Sequence, residues 1–188
     1  MTNFNEYFSY LQNRSQLGLF YRKWLLYPKI NKNLPGKTLD IGCGIGDFLS
    51  YRKDANGTDI NPKLVEWCQS LGMNVTQMNV DELPFESGSY DSILLDNVLE
   101  HIVDPAPLLK EINRTLSSNG ILVVGVPGKA GYACDADHKV FYSKDKLIET
   151  VEQYGFNKSS LFAMPLDIGW LENKLTQYCV YGVFQKIR

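Results

Sequence analysis

The chain has 188 residues, and its 19 Lys and Arg against 21 Asp and Glu give a formal net charge of −2. A chain this close to neutral lacks the clustered cations that bind a phosphate backbone, so we expect no nucleic-acid partner. With 44% hydrophobic and 12% aromatic residues the composition is globular, and the length suits one domain of roughly 100 to 200 residues.

The sequence predicts neither a membrane span nor a secretion signal. Its longest apolar run, residues 121–126, is far shorter than the roughly 20 residues that cross a bilayer, and the first six residues are mostly polar. The four cysteines contain no C-x-x-C pair, which favours reduced thiols over a disulfide framework or a zinc site. We therefore expect a cytoplasmic protein. No feature of the sequence indicates an oligomeric state.

From residue 38 onward, short β-branched runs alternate with longer amphipathic runs, a pattern typical of a parallel sheet flanked by helices. Strands are predicted at 38–42, 56–60, 75–79, 90–96 and 121–126, and helices from about 47, over 62–72 and over 105–116, the last capped by residues 117–120. A loop at 128–142 then leads to a helix at 143–155. Strands at 159–163 and 178–186 are expected to pair antiparallel at the sheet edge.

This order predicts an α/β, Rossmann-like, doubly wound sheet of seven strands, mostly parallel with an antiparallel edge strand and with helices on both faces. We place this domain at residues 38–188. Residues 1–37 form a separate helical segment with six cations and one acid, and two interpretations stay open: a packing helix with a solvated basic face, or a lid over a ligand. A lid of this charge would suit an anionic acceptor through Arg22 and Lys23. Its apolar positions at helical spacing are Tyr7, Phe8, Leu11, Leu17, Phe20, Tyr21, Trp24 and Leu25.

A glycine-rich turn follows the first predicted strand, in the run Asp40-Ile-Gly-Cys-Gly-Ile-Gly46. Alternating glycines let the backbone bend tightly and bring its N–H groups close to a ligand, and the next helix adds the positive end of its dipole. The dinucleotide fingerprint G-x-G-x-x-G has its third glycine one residue further on, so this spacing disfavours an NAD-linked dehydrogenase.

Acidic or amide side chains end the next three strands, at Asp59, Asp81 and Asp96-Asn97. In an open parallel sheet, ligands bind outside the carboxyl ends of the strands, and a carboxylate at the end of the second strand can accept both hydroxyls of a ribose. These residues and the glycine turn therefore predict one ligand crevice.

The chain resembles the class I S-adenosylmethionine-dependent methyltransferases. The similar stretches are 39–49, 57–61, 81–91, 96–102 and 109–124, in the order found in that family. The resemblance implies that S-adenosylmethionine is the cofactor and S-adenosylhomocysteine the product.

By the same resemblance, the backbone of the turn at Gly42, Cys43 and Gly44 holds the methionine end of the cofactor, and Asp40 orders its amino group directly or through water. Asp59 binds the ribose, and Ile60 packs on the adenine. The remaining implied contacts are the adenine amino group with Val80, Asp81 and Glu82, and the methionine ammonium with the backbone at Asp96 and Asn97.

Two histidines are candidates for the methyl acceptor's end of the site. His101 follows the fourth strand in Leu99-Glu-His-Ile102 and is a general base or a residue that orients the neighbouring helix. His138 lies in the loop after the fifth strand, where the family often has a histidine followed by an aromatic residue, and is a base or binder of the acceptor. Asp135 or Asp137 would orient it. We expect further acceptor contacts from Tyr21 and Tyr132. One loop histidine and two acids make a weak ligand set, so no metal is expected.

The sequence therefore predicts a methyltransferase that acts by direct displacement on a small molecule or a sugar- or lipid-linked precursor, at oxygen. The preference for oxygen comes from His138 and its acidic neighbours. The alternative is a catalytically inert subunit that binds S-adenosylmethionine and docks a partner through its aromatic N-terminal segment.

Overall fold

The computed structural model describes residues 15–187, and within this range it forms one seven-stranded sheet in the order β3-β2-β1-β4-β5-β7-β6. Strands β1 to β5 are parallel neighbours, whereas β7 is antiparallel to both β5 and the edge strand β6. The strands are β1 (Thr38–Ile41), β2 (Asn56–Asp59), β3 (Val75–Gln77), β4 (Tyr90–Asp96), β5 (Leu116–Pro127), β6 (Phe156–Met164) and β7 (Cys179–Lys186). The predicted fold class and the antiparallel pairing at the edge are confirmed.

The helices connect these strands on both faces of the sheet. They are α1 (Gln16–Tyr21), α2 (Tyr27–Asn31), α3 (Asp47–Tyr51), α4 (Pro62–Ser70), α5 (Ala106–Thr115), α6 (Lys129–Ala133) and α7 (Lys144–Glu152), with a π-helical turn at Arg22–Leu26 and 3₁₀ turns at Leu99–His101 and Gly169–Asn173. The starts of two helices follow from local sequence: Asn61 caps α4 with Pro62 at its first position, and Ser143 caps α7 through the Lys146 N–H. No described helix is long and apolar enough to cross a membrane.

The predicted cap after α5 is wrong, because β5 begins at Leu116 and includes residues 117–120. Leu116 already pairs with Tyr90 of β4, and the register then shifts, with Asn119 in the left-handed region at a φ of 62°. The carbonyl of Leu116 accepts a hydrogen bond of 2.8 Å from Lys186 Nζ. A side chain from β7 therefore satisfies the helix end in place of a local glycine cap.

The N-terminal segment packs on the sheet through a different face from the one that its spacing predicts. Leu26, Tyr27, Ile30 and Leu34 are buried in the same apolar cluster as helix α3, whereas Leu17, Phe20, Trp24 and Leu25 are exposed. A π-helical turn adds a residue to the helical repeat, so it rotates the buried face by one position. Tyr7, Phe8 and Leu11 of the predicted pattern lie outside the described residues.

Candidate active site

The glycine turn between β1 and α3 folds back onto the end of β2. The N–H groups of Gly42 and Cys43 both donate to the carbonyl of Thr58, at 2.8 and 3.1 Å, and the Gly44 N–H donates to Asp59 Oδ2 at 3.0 Å. Gly42 has a φ of +72°, and a Cβ there would lie 2.5 Å from a methyl carbon of Val98, so only glycine fits.

These contacts change what the turn offers a ligand. The sequence predicts N–H groups that face the ligand, yet those of residues 42–44 already have acceptors within the protein. The following helix α3 has only five residues, so its dipole adds little. The turn is therefore better suited to a cationic group than to a phosphate, which weakens the dinucleotide alternative further.

Three carboxyl groups surround the turn: those of Asp40, Asp59 and Asp96. Asp40 is buried, and its pKa is raised well above the usual range by burial and then by the negative charges of Asp96 and Asp59. Burial also raises the pKa of Asp59, although the backbone N–H groups of Asn61 and Gly44 work against this by donating to its carboxylate. A cation bound here would be stabilised by all three groups. S-adenosylmethionine carries a sulfonium and an ammonium as well as a carboxylate, so Asp40 and Asp96 suit its two positive groups.

Asp96 is anchored from two sides at the end of β4. Its Oδ1 accepts hydrogen bonds from the Tyr181 hydroxyl at 2.9 Å and from Asn97 Nδ2 at 3.0 Å. The Asn97 backbone is left-handed, with a φ of 55°, and its N–H donates to the Gly125 carbonyl of β5. Tyr181 belongs to the reversed strand β7, so that strand takes part in positioning the crevice, a role that the sequence does not reveal.

The side of the crevice expected to hold the adenine is open. Ile60 is 42% exposed and Val80 54% exposed, so both present apolar surface to solvent. Asp81 and Glu82 are exposed in the loop after β3, and Glu82 also lines a surface cleft of about 410 Å³ with Gln77, Met78, Asn79 and Pro84. The structure therefore leaves these four side chains accessible to a planar ring.

Two residues of the N-terminal segment, Tyr21 and Arg22, lie near the carboxyl end of β4 and the amino end of the antiparallel strand β7. The Tyr21 hydroxyl is buried without a hydrogen-bond partner among residues 15–187, and its pKa is raised to about 12 by burial and then by Cys179. Although burial favours loss of a proton from Arg22, the neighbouring Tyr27 and Asp96 raise its pKa. Arg22 is half-buried, whereas Lys23 is exposed beside the Trp24 ring.

The rings of His101 and His138 lie next to each other, although the two residues belong to different loops. Their ring centroids are 4.8 Å apart, and the Tyr132 ring stacks on His138 from the other side at 5.4 Å. His138 Nδ1 lies 2.9 Å from the Tyr132 carbonyl oxygen, and His101 Nδ1 lies 3.3 Å from the Asp137 carbonyl oxygen. Because a carbonyl only accepts, each Nδ1 carries the ring proton when the ring is neutral, and each Nε2 keeps its lone pair. Burial and then His138 lower the pKa of His101.

Glu100 is the residue of this site that the sequence analysis missed. Its side chain is 1% exposed, and neither carboxylate oxygen has a hydrogen-bond partner within residues 15–187. Its Oε1 lies 3.8 Å from His138 Nε2, and burial raises its pKa to about 8. The available signal was an acid directly beside a histidine in an otherwise apolar turn, Leu99-Glu-His-Ile102.

The loop acids Asp135 and Asp137 also contact other groups of the loop. Asp135 Oδ1 accepts from the Asp137 N–H at 2.8 Å, and its Oδ2 lies 3.9 Å from His138 Nε2, too far for a hydrogen bond. The Asp137 carboxylate faces Lys139 at 3.7 Å. His138 is thus oriented by the Tyr132 carbonyl, while the N–H groups of Lys139 and Val140 fasten the loop to the Glu100 carbonyl at 2.8 and 3.0 Å.

Comparisons with known proteins show which family the chain resembles. Residues 39–124 match the model of a family described as a methyltransferase domain. The chain is 31% identical over 171 residues to an uncharacterised protein of Methanocaldococcus jannaschii, covering 87% of this chain and 75% of that one. It is 24% identical to a probable S-adenosylmethionine-dependent methyltransferase of Mycobacterium tuberculosis, over 81% of this chain and 56% of that one.

The fold has a close counterpart in a solved structure. A SAM-dependent methyltransferase from Thermotoga maritima superposes with a TM-score of 0.79 at 20% identity, and the match covers 99% of this chain and 100% of that chain. The chain belongs to the class I S-adenosylmethionine-dependent methyltransferases. It is an enzyme that uses S-adenosylmethionine and releases S-adenosylhomocysteine, and the alternative of an inert cofactor-binding subunit is not favoured.

Proposed function

We propose that this methyltransferase acts on a hydroxyl group of a small molecule or of a sugar- or lipid-linked precursor. The observation that supports it most is the pair formed by His101 and His138, with both Nε2 lone pairs available beside the end of β4. A hydroxyl must lose its proton as its oxygen attacks, so it needs a nearby basic group, whereas an amine that is already neutral does not.

The cofactor supplies a methyl group on a positively charged sulfur. On this chain, the turn at Gly42, Cys43 and Gly44 and the backbone at Asp96 and Asn97 hold its methionine end, with Asp40 ordering the amino group. Asp59 binds the ribose hydroxyls through lone pairs that remain after its two backbone contacts. The adenine lies between Ile60 and the loop residues Val80, Asp81 and Glu82.

The acceptor pocket lies between the N-terminal segment and the loop at 128–142. Tyr21 supplies a buried hydroxyl that has no partner in the described protein, and such a group is stabilised by a polar ligand. Tyr132 holds the His138 ring by stacking, and in the same loop Asp135 is exposed and Asp137 is partly exposed, so both can contact a polar acceptor. His138, with His101 beside it, takes up the proton that the acceptor loses.

The test is methyl transfer from tritium-labelled S-adenosylmethionine into a cell extract separated into small molecules, lipids, protein and nucleic acid. We expect the label in the small-molecule or lipid fraction, as an oxygen-linked methyl group by NMR. Label in protein or nucleic acid, or a methyl group on nitrogen or carbon, would contradict the proposal. His138→Asn should lower turnover at least tenfold with unchanged S-adenosylhomocysteine affinity, whereas Glu86→Gln, at an exposed position, should change neither.

A further inference from the structure

We propose that Glu100, His101 and His138 together bind a divalent transition-metal ion of the Zn²⁺ type at the acceptor end of the crevice. One ligand atom from each side chain lies within 4.8 Å of the other two. The sequence predicts no metal, because one loop histidine and two loop acids are a weak ligand set; the proposed ligands come instead from the turn after β4 and the loop after α6.

The ligand atoms, all within 4.8 Å of one another, lie further apart than they would around a bound ion. Glu100 Oε1 and His138 Nε2 are 3.8 Å apart. Two ligand atoms on a tetrahedral Zn²⁺, at bonds of about 2.0 to 2.1 Å, are separated by about 3.4 Å. Binding an ion therefore requires side-chain rotations that bring these atoms together, while the bonds from Lys139 and Val140 to the Glu100 carbonyl hold the backbone of the two loops.

The hydrogen bonds around the two rings are those that metal-binding histidines usually have. Such a histidine donates its other ring N–H to a carbonyl or carboxylate, which orients the ring and keeps the ligating nitrogen unprotonated. Here the Tyr132 carbonyl takes this position at His138 Nδ1, and the Asp137 carbonyl takes it at His101 Nδ1. Each Nε2 atom therefore has a lone pair that can bind a cation.

The Glu100 carboxyl provides independent support. A buried carboxyl group with no partner on either oxygen is costly, and proteins retain such groups where a ligand or ion completes the contacts. His138 Nε2, 3.8 Å from Oε1, is too far away to donate a hydrogen bond, and the carboxylates of Asp96 and Asp135 lie near enough to repel a negative charge on Glu100. A bound cation would pair with the carboxylate and offset these repulsions.

Three protein ligands leave a coordination position open, as in catalytic rather than structural zinc sites. The Asp135 carboxylate lies beside the cluster, with its Oδ2 3.9 Å from His138 Nε2. The role of the open position rests on the proposed function. The acceptor hydroxyl binds the ion and loses its proton to solvent, and its oxygen lone pair attacks the methyl carbon while the electrons of the carbon–sulfur bond return to sulfur. Nothing is oxidised or reduced. When the ion is bound, both histidines are its ligands. The ion, and not His138, then activates the acceptor hydroxyl.

The first test uses the unmodified protein, because the chain has only two histidines. Zn²⁺ is added to chelator-treated, ¹⁵N-labelled protein, and the imidazole signals are followed by NMR. We expect both histidines to shift together and to saturate at one ion per chain, and Mg²⁺ in excess to leave them unchanged, since imidazole favours zinc over magnesium. A shift of one histidine alone, no shift, or an equal response to Mg²⁺ would overturn the proposal.

The second test assigns the carboxylate. Co²⁺ is titrated while its visible absorption is recorded, and Glu100→Gln should weaken binding at least tenfold because the amide cannot replace the carboxylate ligand. Glu86→Gln, an exposed change of the same kind, should bind Co²⁺ like the wild type. Unchanged S-adenosylhomocysteine affinity shows that the variant is folded. Equal Co²⁺ affinity in both variants would contradict the site. Neither measurement needs the acceptor, so a failure of metal binding and a failure of oxygen methylation are separate results.

Discussion

The Tyr181 hydroxyl donates a 2.9 Å hydrogen bond to Asp96, joining the reversed strand β7 to the residue that ends β4. Both partners also act on Arg22 of the N-terminal segment: burial lowers the pKa of Arg22, but Tyr27, Asp96 and Tyr181 together raise it. Three parts of the chain that are distant in sequence therefore converge on one carboxylate at the crevice.

Removal of this hydroxyl should destabilise the protein and loosen the crevice. We expect Tyr181→Phe to lower the free energy of unfolding by about 1 to 3 kcal/mol, since the half-buried Asp96 loses a donor. S-adenosylhomocysteine affinity should fall with it. Urea unfolding and calorimetric titration measure the two effects. The matched control is Tyr154→Phe, at a half-buried tyrosine whose hydroxyl makes no hydrogen bond within the described chain; equal losses in both variants would show that the contact with Asp96 has no special role.

The glycine turn permits a comparison between two left-handed glycines. Gly42 and Gly72 have φ values of 72° and 77°, so alanine is strained at either position by roughly 1 to 2 kcal/mol. A Cβ at Gly42 also meets Val98, whereas one at Gly72 has nothing within 4 Å. Gly42→Ala should therefore be the more destabilised variant and should lose S-adenosylhomocysteine affinity, while Gly72→Ala should retain it. Thermal unfolding and calorimetry check both, and similar behaviour of the two variants would contradict the assignment of the turn.

Asp40 should make the ligand-free protein less stable as pH rises. Its pKa in the folded state lies well above the unfolded value near 3.8, so the folded chain holds more protons from that pH upward, and the stability linked to this is lost on going to higher pH. We expect Asp40→Asn to be more stable than the wild type at neutral pH, with a smaller difference in acid, and to bind S-adenosylmethionine more weakly. Urea unfolding across the pH range tests this. A variant that is less stable at every pH would show that Asp40 has a stabilising partner.

We expect Arg114 to hold in place the loop at residues 81–88, on the adenine side of the crevice. It donates to the carbonyls of Phe85 and Leu83 at 2.8 and 3.1 Å, and it pairs with Glu111, which accepts from the Leu83 N–H. Arg114→Ala leaves these carbonyls without their donor, so we expect faster hydrogen exchange over residues 81–88 and weaker S-adenosylhomocysteine binding. Lys110→Ala, exposed on the same helix, is the control. Unchanged exchange in Arg114→Ala would show that the loop is held by its apolar contacts alone.

The sheet could be predicted because its strands are short apolar runs separated by turn residues, and because glycine and acidic residues mark the strand ends. Asp59 illustrates this, since its place at the end of β2 follows from the run before it. Periodicity does not encode the π-helical turn at Arg22–Leu26, which moves the buried face from Trp24 and Leu25 to Leu26 and Tyr27.

The acceptor side could be predicted only in part. The sequence presents the two histidines as separate candidates, because the path of the loop that brings His138 to His101 depends on backbone bonds to Glu100 that have no local sequence signal. For the same reason the burial of Glu100 was missed. Loops carry side chains to positions that tertiary contacts decide, whereas strand ends are placed by the pattern of the sheet itself.

The central claim is that the crevice at β1 and β2 binds S-adenosylmethionine through Asp59. Its most direct test is calorimetric titration of wild type and Asp59→Asn with S-adenosylhomocysteine and with NAD, using Asp145→Asn, an exposed aspartate on α7, as the control. We predict one S-adenosylhomocysteine per chain in the wild type and the control, at least tenfold weaker binding in Asp59→Asn, since the amide offers one acceptor oxygen in place of two, and no NAD binding. Tighter binding of NAD than of S-adenosylhomocysteine, or equal S-adenosylhomocysteine affinity in Asp59→Asn, would contradict the account.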